Sequence, residues 1–284
     1  MNNTACERKP FNILVVGRYV VGKKTLVNAL LGMDVLPTSC RVYQYFPITV
    51  EFGSCEKQVQ IFERGKSQQR IISREQFEKE FKMEGDIESL SRTEKFDHAI
   101  VQSNSPRLQS NVRITVFPYL PEHPFSNNSE KLKQYSTEAD VIIFTLSAYT
   151  LFSAAERKYI NENFVGRGLR NVFFVVNRID CLNDPDALEK SIKPAVRAHL
   201  EGVFTDENGH FDEELFNKRV FYTNAHGTLC VRTGEPYTTL VGRKFVPVPI
   251  TIEETGILEF EQALEEYCYH FGRLCRMMQR RRGI

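Results

Sequence analysis

The sequence predicts an α/β fold, a doubly wound, mostly parallel sheet with helices on both faces, followed by a C-terminal helix of different character. Three observations carry this. The short, branched apolar run "FNILVVG" (Phe11 to Gly17) passes through a glycine-bounded turn into "KKTLVNALLG", where apolar residues take helical spacing. Further apolar runs alternate with polar helical segments along the chain, the order expected of βα units. From Ile257 the apolar residues step by three and four, the seam of a helix that packs lengthwise on other helices.

The elements follow in order. Pro10 precedes the first strand, and the helix after the turn places Leu26, Ala29 and Leu30 on one side with Gly32 as its C-cap. Strands are predicted in "FPITVEF" (Phe46 to Phe52), "VRITVFPYL" (Val112 to Leu120), "DVIIFTLSA" (Asp140 to Ala148), "NVFFVVNRID" (Asn171 to Asp180) and "RVFYTNA" (Arg219 to Ala225). "SREQFEKEFKM" opens with a capping box, Ser73 to Gln76, and in "DPDALEKSIKPAVRAHLEGVF" Pro194 is expected to kink or split the helix. The terminal seam comprises Ile257, Phe260, Leu264, Tyr267, Phe271, Leu274 and Met278. It either meets a helical-bundle partner or docks on its own domain. The expected division is a tail over 1–10, a nucleotide-binding α/β domain over 11–253 and the helix over 254–284.

The bulk composition narrows the function. At 284 residues the chain can bury one large core, and a net charge of +1 offers no general attraction to nucleic acid. Seven cysteines are scattered without a C-x-x-C pair, which fits reduced thiols better than a disulfide framework or a zinc site. The N-terminus lacks a signal-peptide core, and no run reaches the ~18 apolar residues of a membrane span. A cytoplasmic protein with at most peripheral membrane contact is expected.

Two motifs carry chemistry. "GRYVVGKKT" has the form G-x-x-x-x-G-K between a strand and a helix, so backbone N–H groups of the loop and helix start can cradle phosphates while the lysine reaches the outer ones. The candidate phosphate-binding set is Gly17, Val20, Val21, Gly22, Lys23, Lys24 and Thr25. "NRID" ends the strand "VFFVV" at the edge where open sheets bind ligands. There Asn177 can support the loop and Asp180 can accept from guanine's N1 and exocyclic amine, a donor pair adenine lacks; the Arg178 stem can cover the base. The histidines are dispersed and fit packing or surface roles.

"GKKTLVNALLGMDVLPT", "VRITVFPYL", "EADVIIFTLSA", "FFVVNRID", "RVFYTNAHGTL" and "TGILEFEQALEEY" resemble, in order and over nearly the whole chain, the GTPase domain of dynamin-superfamily proteins, most nearly bacterial dynamin-like proteins and the mitofusin group. The resemblance implies a P-loop GTPase-type sheet that binds GTP or GDP. It further implies pairing as a homodimer, or as a heterodimer with another dynamin-like protein, through this domain, and a neck bundle linked to membrane remodelling. "NAHG" is similar to the family's last nucleotide loop, which adds Asn224 and Ala225 to the guanine-binding set.

The chain departs from that pattern on one side of the site. Lys24 replaces the Ser or Thr that holds magnesium, and Thr25 lies ~100° further round the helix. Val42, Tyr43 and Gln44 stand where the family has its switch threonine, and "VFPY" (Val116 to Tyr119) keeps only the proline of D-T-P-G. Magnesium binding is therefore doubtful and no catalytic residue is assigned. Lys24 either supplies a second charge to the phosphates or points to solvent. The expectation is guanine-nucleotide binding with impaired or absent hydrolysis; the alternatives are an active GTPase using partner-supplied groups, or a nucleotide-free scaffold.

Overall fold

The computed structural model describes residues 10–38, 46–53, 58–66, 68–80, 95–108, 111–120, 129–167, 171–182, 184, 186–241 and 244–270. Its centre is a nine-stranded sheet in the order β4-β3-β5-β2-β6-β1-β7-β8-β9. The strands are β1 Phe11–Val16, β2 Ile48–Phe52, β3 Gln58–Glu63, β4 Gln69–Ser73, β5 Phe96–Ser103, β6 Val112–Val116, β7 Val141–Ser147, β8 Val172–Asn177 and β9 Val220–Thr223. From β6 to β9 all neighbours run parallel, whereas β2 is antiparallel to β6 and β3 is antiparallel to both β5 and β4.

The central strands β1, β7 and β8 are apolar along most of their length because both faces are covered. Alternation along each strand splits the core in two. Ile13 and Val15, Val141 and Ile143, and Phe173 and Val175 face one layer, with Leu26 and Leu30 of α1 (Lys23–Leu31). Leu14 and Val16, Ile142 and Phe144, and Phe174 and Val176 face the other. That second layer contains Leu132 of α3 (Ser129–Glu138), Ile160 of α4 (Ala154–Asn163) and Val196, Leu200 and Phe204 of α5 (Lys193–Phe204), with Phe216 of α6 (Glu213–Asn217) beyond them. The doubly wound reading holds.

Local signals decide several boundaries. Gly32 caps α1 in the left-handed conformation, as its position predicts. The Ser73–Gln76 box forms at the entry to α2 (Arg74–Glu80), Ser73 N donating to Gln76 Oε1 at 2.9 Å and Gln76 N to Ser73 Oγ at 3.1 Å. Pro194 lacks the N–H that would bond the fourth carbonyl back. The preceding turn, Leu188–Ile192, accordingly takes π-helical bonding, with Lys193 N donating to Leu188 O.

The sequence reading missed β3, β4 and β5, and with them the hairpin β10 (Thr238–Val241) and β11 (Lys244–Pro247). β5 reads "FDHAIVQS", buried only at alternate positions for much of its length, so polar residues interrupt the apolar run that marks a central strand.

The terminal helix needs a correction. α8 (Ile257–His270) does not present its described seam to a separate bundle: Ile257, Phe260, Leu264 and Tyr267 are buried in the same layer as Phe173 and Phe221. A sheet face of bulky aromatics fills the seam. Phe271, Leu274 and Met278 lie outside the described residues. Gly256 makes the approach possible, since at φ +66° an added Cβ would stand 2.1 Å from the Tyr222 carbonyl oxygen. Among the described residues, no helix is long and apolar enough to cross a membrane.

Candidate nucleotide site

The site lies where β1, β8 and β9 end. The loop after β1 is pressed against its neighbours at two glycines. At Gly17, φ +148°, an added Cβ would stand 2.3 Å from the Thr145 carbonyl oxygen, and at Gly22, φ +88°, 2.4 Å from Asn177 Nδ2. Between them Val20 takes φ +67° while 45% exposed, a left-handed conformation costly for a β-branched residue.

Gly22 then caps α1 and aims the loop's lysine inward. Lys23 is buried, and its Nζ donates to the carbonyl oxygens of Gly17 at 2.9 Å and Arg18 at 2.8 Å. Burial first, and the adjacent Lys24 second, lower its pKa to about 7, against the pull of Glu156. Lys24 is half-buried rather than open to solvent; burial lowers its pKa to about 8, opposed by Glu78 of α2. Glu78 pairs with Arg74 at 3.0 Å, and Arg74 with Asp34 at 2.7 Å. The position that would hold magnesium in the expected loop therefore belongs to a charged network joining α1 to α2.

On the other side, Asn177 ties three segments together. Its Nδ2 donates to Val21 O at 3.1 Å, while its Oδ1 accepts from Ala225 N at 3.0 Å and Thr223 Oγ1 at 3.4 Å. Arg178 turns the chain with φ +65° into the short 3-10 turn that carries Asp180. Burial raises the Asp180 pKa, with its own backbone, His226 and Arg178 opposing. Asn224 caps α7 (Ala225–Thr233), its Oδ1 accepting from Gly227 N at 2.8 Å and its Nδ2 donating to the Tyr237 hydroxyl at 3.2 Å.

A cavity of about 680 Å³ results, with Gly22, Thr25, Asn177, Arg178, Asp180 and His226 among its walls. Gly17, Val20, Val21, Lys23 and Lys24 form the loop beside it. Asn224 and Ala225, expected to contact the base, stand behind the wall, because one caps a helix and the other is buried with its N–H on Asn177. At the end of β6 the structure places Val116 fully buried and Tyr119 5% exposed, with Phe117 N bonded to Val15 O at 2.9 Å, so this edge offers the phosphate loop no carboxylate. Val42, Tyr43 and Gln44 lie outside the described residues.

The model of the dynamin family matches residues 13–179, more than half of the chain, from the first strand through the phosphate loop to Ile179. The chain belongs to the dynamin family. The bacterial dynamin-like protein of Nostoc punctiforme is 29% identical over 252 residues, covering 83% of this chain and 35% of that one. Two solved chains of an oligomerised bacterial dynamin pair, described as a mechanism for long-range sensing and tethering of membranes, share the fold. They superpose with TM-scores of 0.65 and 0.61 at 14% identity, covering 95% and 94% of this chain and 47% and 39% of theirs. This dynamin-family chain thus spans about a third to a half of the length of the relatives it matches.

Within the dynamin-type domain, two groups escaped sequence reading. Glu156 is fully buried at the first turn of α4, capped with Ser153, and acts on Lys23 from a different element. Its signal was the box "SAAE". The other is Cys230 of α7, which lines the same cavity beside His226 of the "NAHG" loop and which no local pattern marks.

Proposed function

We propose that this chain is a dynamin-like guanine-nucleotide-binding protein, taking GTP or GDP, with impaired or absent hydrolysis. The observation that carries it is the convergence of Gly22 and Thr25 with Asn177 and Asp180 on one cavity at the carboxyl edge of a parallel sheet. The two glycines let the loop close against the Thr145 carbonyl and the Asn177 amide, and the Asp180 carboxylate suits the guanine donor pair.

Magnesium fits poorly. A hard cation wants oxygen ligands, and this chain offers the Lys24 ammonium on α1 and apolar Val116 at the end of β6. Phosphoryl transfer depends on the bridging cation to neutralise developing charge and on an ordered attacking water. The Lys24 charge supports phosphate binding without orienting a water. In cells the protein acts by pairing its domain with a second copy or with another dynamin-like protein, in assemblies linked to membrane remodelling; the oligomerised pair among its structural relatives supports this reading.

Thermal shift with GTP and GDP, with and without magnesium, tests binding: a shift insensitive to EDTA is expected, and no shift with either nucleotide assigns a scaffold instead. Phosphate release over a protein concentration series is expected to stay near background; release that rises per molecule would establish a dimer-activated GTPase. Lys24→Ser is expected to introduce magnesium dependence of binding without turnover.

A further inference from the structure

The phosphate loop carries two adjacent lysines, and the strand end beside it carries no carboxylate. Lys23 Nζ uses two of its three donors on the Gly17 and Arg18 carbonyls. The charged groups acting on it are Lys24 from α1 and Glu156 from α4; Arg18 on the loop places its guanidinium on Thr150 Oγ1 at 2.6 Å. Among the described residues, the flanking strands end on neutral side chains, Val116 of β6 and Ser147 of β7.

Glu156 is 0% exposed. One oxygen, Oε2, accepts from Ser153 N at 2.7 Å, which completes a capping box. The other, Oε1, is buried without a hydrogen-bond partner. A capping box needs only one of these oxygens and is ordinarily built at the surface, so a fully buried carboxylate with an unsatisfied oxygen is an expense that capping does not explain. Glu156 is the acidic group whose charge acts on the Lys23 ammonium, raising its pKa against burial and Lys24.

We propose that Glu156 is the counter-charge of the phosphate site, a positioning residue supplied from the start of α4 that favours the charged form of Lys23 against its burial. This rests on the nucleotide-binding reading for its purpose, but not for its test. Glu156→Gln retains a capping oxygen and removes the charge. In the full chain, the Lys23 Nζ is followed by NMR after 13C-reductive methylation, assigned with Lys23→Arg, and titrated without nucleotide. Its midpoint should move down by about one unit in Glu156→Gln and stay in place in Ser153→Ala, which damages the cap alone. GDP affinity of Glu156→Gln should then fall about tenfold at pH 8 and come within about twofold of the parent by pH 6, the equivalent of one unit.

An unmoved Lys23 midpoint in folded Glu156→Gln overturns the proposal, as does tighter GDP binding at every pH. Should Glu156→Gln fail to fold, Glu156→Asp, which keeps the charge, is titrated in its place: a midpoint held within a few tenths of the parent supports the proposal, and one that falls as far as the neutral variant was expected to overturns it. If the parent chain binds no nucleotide, the functional reading fails while the titration still decides the role of Glu156.

Discussion

The side-chain amide of Asn177 donates to the carbonyl of Val21 at 3.1 Å, so one buried residue at the end of β8 closes the phosphate loop onto the base loop. Its carbonyl oxygen takes the first N–H of α7 at 3.0 Å. Replacing it with Ala strands a buried acceptor and a buried donor, each worth about 1–3 kcal/mol. Asn177→Ala should lose about 2–4 kcal/mol in urea denaturation, and the nucleotide-dependent thermal shift should vanish even where the protein remains folded.

Val20 holds a left-handed backbone at φ +67° with its side chain 45% exposed, so little packing opposes its removal. Strain of about 1–2 kcal/mol is partly offset by the chain entropy glycine brings, about 0.4–1 kcal/mol. Val20→Gly should raise stability by up to about 1 kcal/mol, read as a higher melting temperature. Gly22→Ala should do the opposite, because its Cβ would meet Asn177 Nδ2 at 2.4 Å with φ +88°.

The nucleotide-free protein should become more stable as pH rises. Burial holds Lys23 at about 7 and Lys24 at about 8 in the fold, whereas both return to about 10.5 on unfolding. Between these limits the unfolded chain binds more protons, so stability increases with pH at no more than about 1.4 kcal/mol per unit for each lysine. Below pH 7 both states are protonated and the slope disappears. Urea midpoints from pH 6 to 9.5 should show this rise, and Lys23→Met should flatten its lower part.

Glu261 of α8 receives Arg232 of α7 through both oxygens, at 2.6 and 2.8 Å, and Arg107 at 2.9 Å. The carboxylate is almost fully buried, and Arg232 also donates to Ala29 O at the end of α1. Removing one partner of such a group leaves uncompensated charge, at about 3–5 kcal/mol. Glu261→Ala should therefore cost about that much, while Arg107→Ala, whose side chain is more exposed, should cost less. Denaturation of both variants checks the order.

The same residues show how far a sequence reaches. Short continuous apolar runs in "NILVV", "VIIF" and "FFVV" were enough to place β1, β7 and β8 in a sheet covered on both faces, because a parallel strand has no polar side to disguise it. β3, β4 and β5 escaped because their half-exposed alternation with polar residues resembles a surface segment. The α8 seam was legible as apolar, but whether Phe260 met a bundle or Phe173 was not, since a stripe records that it is buried and not against what.

By itself the sequence determined the two motif loops, their order along the chain and the residues missing from them, since these depend on spacing and on side-chain chemistry at single positions. Only the tertiary structure decided how they meet. That Asn177 seals the phosphate loop, that Glu78 acts electrostatically on Lys24, that Asn224 is spent on a helix cap and that Glu156 lies buried within electrostatic reach of Lys23 all depend on strand order and burial. The physical reason is range: capping and turn preferences act over a few residues, whereas burial and charge act between segments that are neighbours only after folding.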